Sequence, residues 1–596
     1  MRLSNALSVR AVWFSLACTL LAGGPGCGSS KPVVTKNEFP TASELEDLGE
    51  EETSEKSFYD QQRALVEKWT FSSEAANLTT TEAIEPQTAW ERVISDRLSS
   101  ESSKAIATVG MRCLAREVAA FYAKNKALPL GALRDVMRSR CGVVAPYFHV
   151  EQFTWDEVSD SPDFDEMANK WASSKQKALA NLTEPPESVG VSWLSTDSGG
   201  RLFVVYGERQ VDMQAIPTQY GPDETVVLRG RLHGDIENID TLRNVGSFGY
   251  EKCRRDHKVK LPRFKVECDI NPSTKWTHIE MLARPEDRVL AHRAVSLVVW
   301  KKGVATDTFE TQAIGEALAD SFSKGDDTAG DDEKPISAKE FAELVNAIRK
   351  RAHVGPATLE DAQSETARKL VSKYQTTDSS DVRDKIALGI NAGWKIEKRI
   401  TSAQFTTGLV PYPKVEALLE TILSGPFGRR QLLDPDYTRL AVGLETSENG
   451  TLAAIVTTYR PVRERSLSKR ATDVVKGLNV ARKQSGRDEV TRDATLDDES
   501  ERFAKKVKAG KWSPTKAAKK FLDTCVDKWN VSVRGQYVVT QTLDDVADVS
   551  KQIDVLLSPG VDRVGIFVVP VTPEGGAWTA YFVAIAIPSP DSSDLV

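Results

Sequence analysis

Few side chains in this sequence stand where chemistry needs them. Six histidines are spread along 596 residues: His149, His233, His257, His278, His292 and His353. No two share the H-E-x-x-H spacing that puts both rings on one helix face to hold zinc. No Walker loop, G-x-S-x-G elbow or G-x-G-x-x-G turn occurs, so phosphate cradling and serine nucleophilicity have no frame here. Cys253-Arg254-Arg255-Asp256-His257 brings a thiol and an imidazole close, which reads as a disulfide cysteine beside a surface histidine. The 85 carboxylates could hide an acid–base pair, yet no spacing among them singles one out. The reading is of a protein that is not an enzyme, with no catalytic residue, metal ligand or cofactor assigned.

The cysteines carry a plainer message. Beyond Cys18 and Cys27 near the N-terminus stand Cys113, Cys141, Cys253, Cys268 and Cys525, and none forms a C-x-x-C. In an oxidising compartment the close pairs are expected as two disulfides, Cys113–Cys141 and Cys253–Cys268. Cys525 is then the odd one, expected as a buried free thiol.

The N-terminus points to that compartment. Met1-Arg2 and Arg10 supply positive charge, Ala11 to Ala22 is an apolar run, and Gly23-Gly24-Pro25-Gly26-Cys27-Gly28 is a small-residue exit. This reads as a secretory signal, too short to span a bilayer. The Gly26-Cys27-Gly28-Ser29-Ser30 junction resembles the cleavage site of bacterial lipoproteins, although Gly24 stands where such sites usually carry Leu. The resemblance implies lipidation at Cys27. The polar, acid-rich stretch behind it (28–60) reads as a flexible tether. The expectation is a lipoprotein of the bacterial cell envelope, at the outer membrane or cell surface, held to the membrane by its lipid. No later apolar run reaches spanning length. A net charge of −7 argues against a nucleic-acid partner.

The remaining elements repeat. Phe341, Leu344, Val345 and Ile348 share one helix face, and Val415, Leu418, Leu419 and Ile422 share another that stops at Ser424-Gly425-Pro426. Apolar runs at 440–445 and 452–457 flank Asn449-Gly450, a hairpin signal. Val474, Leu478 and Ala481, a later helix at 549–557, and strands at 564–569 and 578–585 repeat the plan. A looser copy opens with Leu114, Val118, Phe121 and Tyr122, has a later helix at Met167 and Trp171, and ends in strands at 189–193 and 202–206. Between the first two copies, alternating runs at 225–232, 264–270, 277–282 and 295–300 read as a small β-sandwich.

Ser424-Gly425-Pro426-Phe427-Gly428-Arg429-Arg430-Gln431-Leu432-Leu433, followed by Leu440-Ala441-Val442-Gly443, resembles the S-P-G-H-R-x-N-L-L … V-G-V-G signature of the CAP superfamily. That superfamily covers cysteine-rich secretory proteins, antigen 5 and pathogenesis-related 1 proteins (SCP domains). Leu344-Val345-Asn346-Ala347-Ile348-Arg349 resembles its L-L-N-x-x-R helix, and Leu478-Asn479-Val480-Ala481-Arg482 is similar. The resemblance implies a multi-domain α+β fold, with CAP-like α/β/α sandwich repeats beside the all-β sandwich. The expected order is signal peptide (1–27), tether (28–60), degenerate CAP-like domain (61–210), β-sandwich (211–303), linker (304–336), and CAP-like domains at 337–462 and 463–590. Family members with a metal site use two His, and this chain has Gly428 at the signature His and Gln431 at the signature Asn. The last repeat holds no His at all.

The expected function is non-catalytic binding or scaffolding in the envelope, toward an envelope protein, polysaccharide or lipid not identified by the sequence. Two alternatives stay open: a carrier of a lipid or other small apolar ligand, and an envelope hydrolase working with carboxylates. The basic stretch Lys505, Lys506, Lys508, Lys511, Lys516, Lys519 and Lys520, with Trp512 inside it, reads as the solvated face of helices or as a patch for anionic polysaccharide or headgroups.

Overall fold

The computed structural model describes residues 39–50, 106–155, 188–310, 336–540 and 561–588, short gaps within them excepted, and parts of 63–96. The expected signal segment, Cys27, and the later helices at Met167–Trp171 and 549–557 lie outside the described residues. The fold is mixed α+β, built on several small sheets. The chain divides into two compact units: Pro40–Asn391 with Gln404–Thr458, and Met1–Phe39 with Ala392–Ala403 and Tyr459–Val596.

One element order recurs three times. A two-residue strand, two helices and a strand are followed, further along, by an antiparallel hairpin. In the middle copy these are Thr358–Leu359, Asp361–Thr376, Ser380–Ala392, Ile400–Val410, and the hairpin Arg439–Thr446 with Leu452–Pro461. In the last copy they are Thr491–Arg492, Asp497–Lys508, Pro514–Trp529, Val533–Thr540, and Arg563–Val571 with Ala580–Pro588. The first copy runs Ile106–Ala107, Val109–Asn125, Ala132–Arg140, His149–Trp155, and Ser188–Thr196 with Gly199–Gly207. Each gives a four-stranded sheet in which the short strand lies parallel on one edge. The first hairpin strand carries a glycine that lets a helix settle on the sheet. A Cβ at Gly190 would stand 2.0 Å from the Met111 carbonyl carbon, and one at Gly443 would stand 2.4 Å from that of Ala367.

This order corrects the expected alignment of the first copy with the others. The helix bearing Leu114, Val118, Phe121 and Tyr122 follows the short edge strand, so it matches Asp361–Thr376 rather than the opening helix Ala338–Arg351. Its apolar periodicity is that of any helix buried on one face, so spacing could not tell the two positions apart.

The opening helices of the middle and last copies share a hydrogen-bond bracket. Asn346 receives the Ala357 N–H on Oδ1 at 2.8 Å and donates Nδ2 to the Ala357 carbonyl at 3.0 Å. Asn479 does the same with Val490, at 2.9 and 3.0 Å. Arg349 donates Nε to the Gly355 carbonyl at 2.6 Å and Nη1 to that of Leu432 at 2.6 Å. Arg482 donates to Asp488 and Val561 at 2.7 and 3.2 Å. Both guanidiniums are fully buried, and desolvation lowers the pKa of each. The Asn-x-x-Arg pattern thus ties the loop after the opening helix to the segment that leads into the hairpin.

The sandwich pairs a four-stranded with a five-stranded sheet around Val226, Leu228, Phe264, Ile279, Met281, Leu297 and Val299. Its strands Trp276–Pro285 and His292–Lys301 are buried on both faces. Trp276, His278 and Glu280 alternate with the inward residues and stand opposite Trp300, Val298 and Ser296. On that outer face Trp276, Val298 and Trp300 join the core of the first copy, with Phe121 and Met137. The first copy and the sandwich therefore share a core.

Three stretches differ from the sequence expectation. Within the supposed tether, Ala42–Glu50 is a helix whose Leu45 is buried against Ala367, Leu370, Ile386 and Ile390. Burying such a leucine stabilises by about 1.5–3 kcal/mol. A reciprocal cap starts it: Thr41 donates its N–H to Glu44 Oε2 at 2.7 Å, and Glu44 donates its own to Thr41 Oγ1 at 3.2 Å. Within the supposed linker, Thr308–Glu310 pairs antiparallel with Lys68–Thr70. Finally, the helix Val415–Leu423 stops at Ser424 as expected, but Pro426 then opens a second, unanticipated helix, Pro426–Leu433, as a first-turn proline can.

Candidate functional site

The signature-like loop was the sequence's strongest pointer to a site, and it is buried. Gly425 sits at the N-terminus of the helix Pro426–Leu433, whose first N–H groups lack intrahelical partners. The partner is a carboxylate from the sandwich: Phe427 donates its N–H to Glu280 Oε2 at 3.1 Å. Glu280 is fully buried, and its other oxygen lies 3.1 Å from Arg293 Nη1. The fit leaves no spare room, because a Cβ on Gly425 would stand 2.8 Å from Glu280 Oε2.

At Gly428 a Cβ would lie 1.7 Å from the Ile422 carbonyl oxygen. No side chain fits there without moving the backbone, so histidine cannot be restored by substitution alone. Arg429 is 1 % exposed and donates to the carbonyls of Leu423 at 2.9 Å, Gly246 at 3.2 Å and Gly249 at 3.1 Å. Burial pushes its pKa down to about 10, with Glu280 opposing the shift. Arg430 pairs with Asp240. Gln431 donates Nε2 to the carbonyls of Gln404 at 3.0 Å and Val456 at 2.8 Å. These polar residues of the loop are spent on holding the middle copy to the sandwich or the helix to its own sheet.

A proton-ordered chain runs beside it. Arg138, fully buried on the helix Ala132–Arg140, donates to Ser296 Oγ at 2.8 Å. Ser296 Oγ lies 2.9 Å from His278 Nε2, and His278 Nδ1 lies 3.2 Å from the Ser424 carbonyl. That carbonyl can only accept, so Nδ1 carries a proton, and in the neutral ring Ser296 donates to Nε2. Burial raises the Asp135 carboxyl, but Arg138, His278 and Arg293 outweigh it and hold the pKa below the usual range. The chain joins the first copy, the sandwich and the middle copy.

Other residues marked in the sequence lie apart. Cys113–Cys141 and Cys253–Cys268 are bonded, and Cys525 is buried and free. Burial and Asp493 push its thiol up to about 12. His149 stacks on Tyr206 at 5.2 Å, and His353 takes a left-handed turn with φ 57°. Among the described residues no group of three or more His, Cys, Asp or Glu is placed to hold a metal ion. No described helix is long and apolar enough to cross a membrane. A small, partly open cleft of about 180 Å³ lies between the first copy and the sandwich, lined by Thr108, Gly110, Cys141, Val144, Ser188 and Arg209.

No protein-family model and no curated protein matches the chain. Among solved structures, the chain is similar to Na-ASP-1, with 8% identity over 42% of this chain and 88% of that one, at a TM-score of 0.23. A likeness at that score carries no weight for fold or function.

Sequence reasoning missed Glu280, His278, Ser296 and Arg138. The available signal was the sandwich face: Trp276, Val298 and Trp300 are too apolar for solvent, so their neighbours His278, Glu280 and Ser296 had to be buried with them.

Proposed function

We propose that the chain is a non-catalytic binding or scaffolding protein of the cell envelope, built from three degenerate CAP-like copies and a β-sandwich and anchored through lipid on Cys27. One observation carries the non-catalytic part: the loop most similar to the family signature is an internal joint. Glu280 caps its helix, Gly428 has no room for a side chain, and Arg429 is sealed against carbonyls of Leu423, Gly246 and Gly249. A group so enclosed cannot meet a substrate. What remains for function are outer surfaces, and repeated copies can multiply weak contacts.

The test is cross-linking in intact cells, followed by identification of what the chain holds, with mass spectrometry of material extracted from the purified protein. A reproducible envelope partner and an empty protein support scaffolding. A stoichiometric apolar ligand would turn the reading to a carrier, for which the cleft beside Cys141 is the place to look. Incorporation of labelled fatty acid into the chain, abolished by Cys27→Ser, checks the anchor.

A further inference from the structure

We infer that the elbow between the helices Asp497–Lys508 and Pro514–Trp529 is a docking surface for an anionic lipid bilayer. The inference concerns an outer surface and does not depend on the internal joint or on the scaffold reading. Between Lys505 and Leu522 stand seven lysines and no acidic residue, in a chain whose net charge is −7. Asp497, Asp498, Glu499 and Glu501 gather at the far end of the first helix, so charge is segregated toward the turn.

The turn projects. Lys508, Ala509, Gly510, Lys511 and Ser513 are exposed, and Gly510 takes φ 68° to make the reversal. Two of the lysines are neutralised locally, Lys505 by Glu501 at 3.2 Å and Lys520 by Asp523 at 3.2 Å. Lys508, Lys511 and Lys519 make no ion pair among the described residues. Lys516 and Lys519 fall three apart on the second helix, on one face. Trp512 pins the elbow: it stacks on Phe503 at 5.6 Å, with Lys506 at 4.0 Å and Lys516 at 5.6 Å over the ring.

Three features favour a bilayer over a nucleic acid or a polysaccharide chain. The cations are all lysine, point charges that meet a diffuse negative surface, with none of the flat arginine forks that read phosphates in pairs. The Trp512 ring is already engaged by Phe503 and two ammonium groups, so it offers no free face on which a base or sugar could stack. The unpaired Lys508 and Lys511 lie at the exposed reversal between the two helices, with Lys519 exposed on the second, where a flat surface can reach them.

The test compares the full chain carrying Cys27→Ser, so that no lipid is attached, with the same chain also carrying Lys508→Gln, Lys511→Gln and Lys519→Gln. These three side chains are exposed, so the fold is expected to survive, and circular dichroism checks it. Co-sedimentation is measured with phosphatidylcholine vesicles lacking or containing phosphatidylglycerol. Each lysine near such a surface strengthens binding roughly several-fold, so the triple variant should bind the anionic vesicles at least about tenfold more weakly. The wild-type excess over neutral vesicles should vanish at about 1 M salt, where the Debye length is about 3 Å. Equal binding to both vesicle types, or an unchanged preference in the variant, overturns the proposal. So does tight, lysine-dependent binding of heparin or single-stranded DNA without recruitment to anionic vesicles, which would assign the elbow to a linear polyanion.

Discussion

Glu280 and Gly425 are fitted to each other across two modules. The carboxylate occupies the space a side chain at 425 would need, since a Cβ there would stand 2.8 Å from Oε2, and it accepts the Phe427 N–H that opens the next helix. A carboxylate at a helix N-terminus is favoured by the exposed N–H groups and the axial dipole. Here that preference joins modules that the sequence places about 145 residues apart, 425 − 280. Gly425→Ala should therefore cost about 1–3 kcal/mol by crowding. Glu280→Ala should cost about 3–5 kcal/mol, because it leaves Arg293 and the Phe427 N–H without their buried partner. Urea unfolding of both single variants and the double variant tests the pair. Strict additivity would show that the two do not meet in solution.

Glu310 gives a prediction for acid. It accepts hydrogen bonds from Lys275 and forms an ion pair with Lys68, and these hold its carboxyl down at about 2. A carboxylate with a lowered folded pKa stabilises fully above its unfolded value and loses that contribution as pH falls toward the folded value. Stability measured from pH 5 to pH 2 should thus fall less steeply in Glu310→Gln than in the wild type. Identical slopes would mean that the carboxylate is not held this way, and that the strand Thr308–Glu310 is fixed to Lys68–Thr70 by backbone pairing alone.

Much of the architecture was legible where periodicity and turns agree. The helices around Phe341–Ile348 and Leu418–Ile422 and the hairpins after Arg439 and Arg563 could be read because apolar spacing, glycine and proline pointed one way. The helix Ala42–Glu50 was legible but overlooked: Thr41-x-x-Glu44 is a capping box before Leu45 and Leu48, hidden by the acid-rich composition around it. The site was legible only in outline. Asn346 and Arg349 stood out as a pair, but that Glu280 caps the helix opening at Pro426 depends on how modules pack, and no local pattern encodes that. The helices Asp361–Thr376 and Ser380–Ala392 were missed because much of their length is polar.

Cys525 should be silent to thiol reagents in the native state. It is fully buried, and with its pKa pushed up to about 12 almost no thiolate exists near neutral pH. Labelling by a disulfide reagent should proceed only as its unit unfolds, at a rate that rises with urea as unfolding does. Rapid stoichiometric labelling of the native chain would show that the thiol is accessible and would reopen the question of a reactive role.

The Asn-x-x-Arg bracket predicts a paired result in the two copies. Asn346→Ala strands the Ala357 N–H and carbonyl, and Asn479→Ala strands those of Val490, in sites of matching hydrogen-bond geometry. Each loses two hydrogen bonds and leaves a buried backbone donor without a partner, which costs about 1–3 kcal/mol. The residues belong to different compact units, Asn346 to the larger and Asn479 to the smaller. If the units unfold in separate steps, each substitution should shift only its own transition. In the double variant the two shifts should add. Hydrogen exchange at Ala357 and Val490 gives the local reading, since protection at each amide should fall only in the variant that removes its own acceptor. A substitution that deprotected both amides equally would show that one cooperative unit spans the two copies, and the bracket would then be a shared feature of sequence without independent energetic effect.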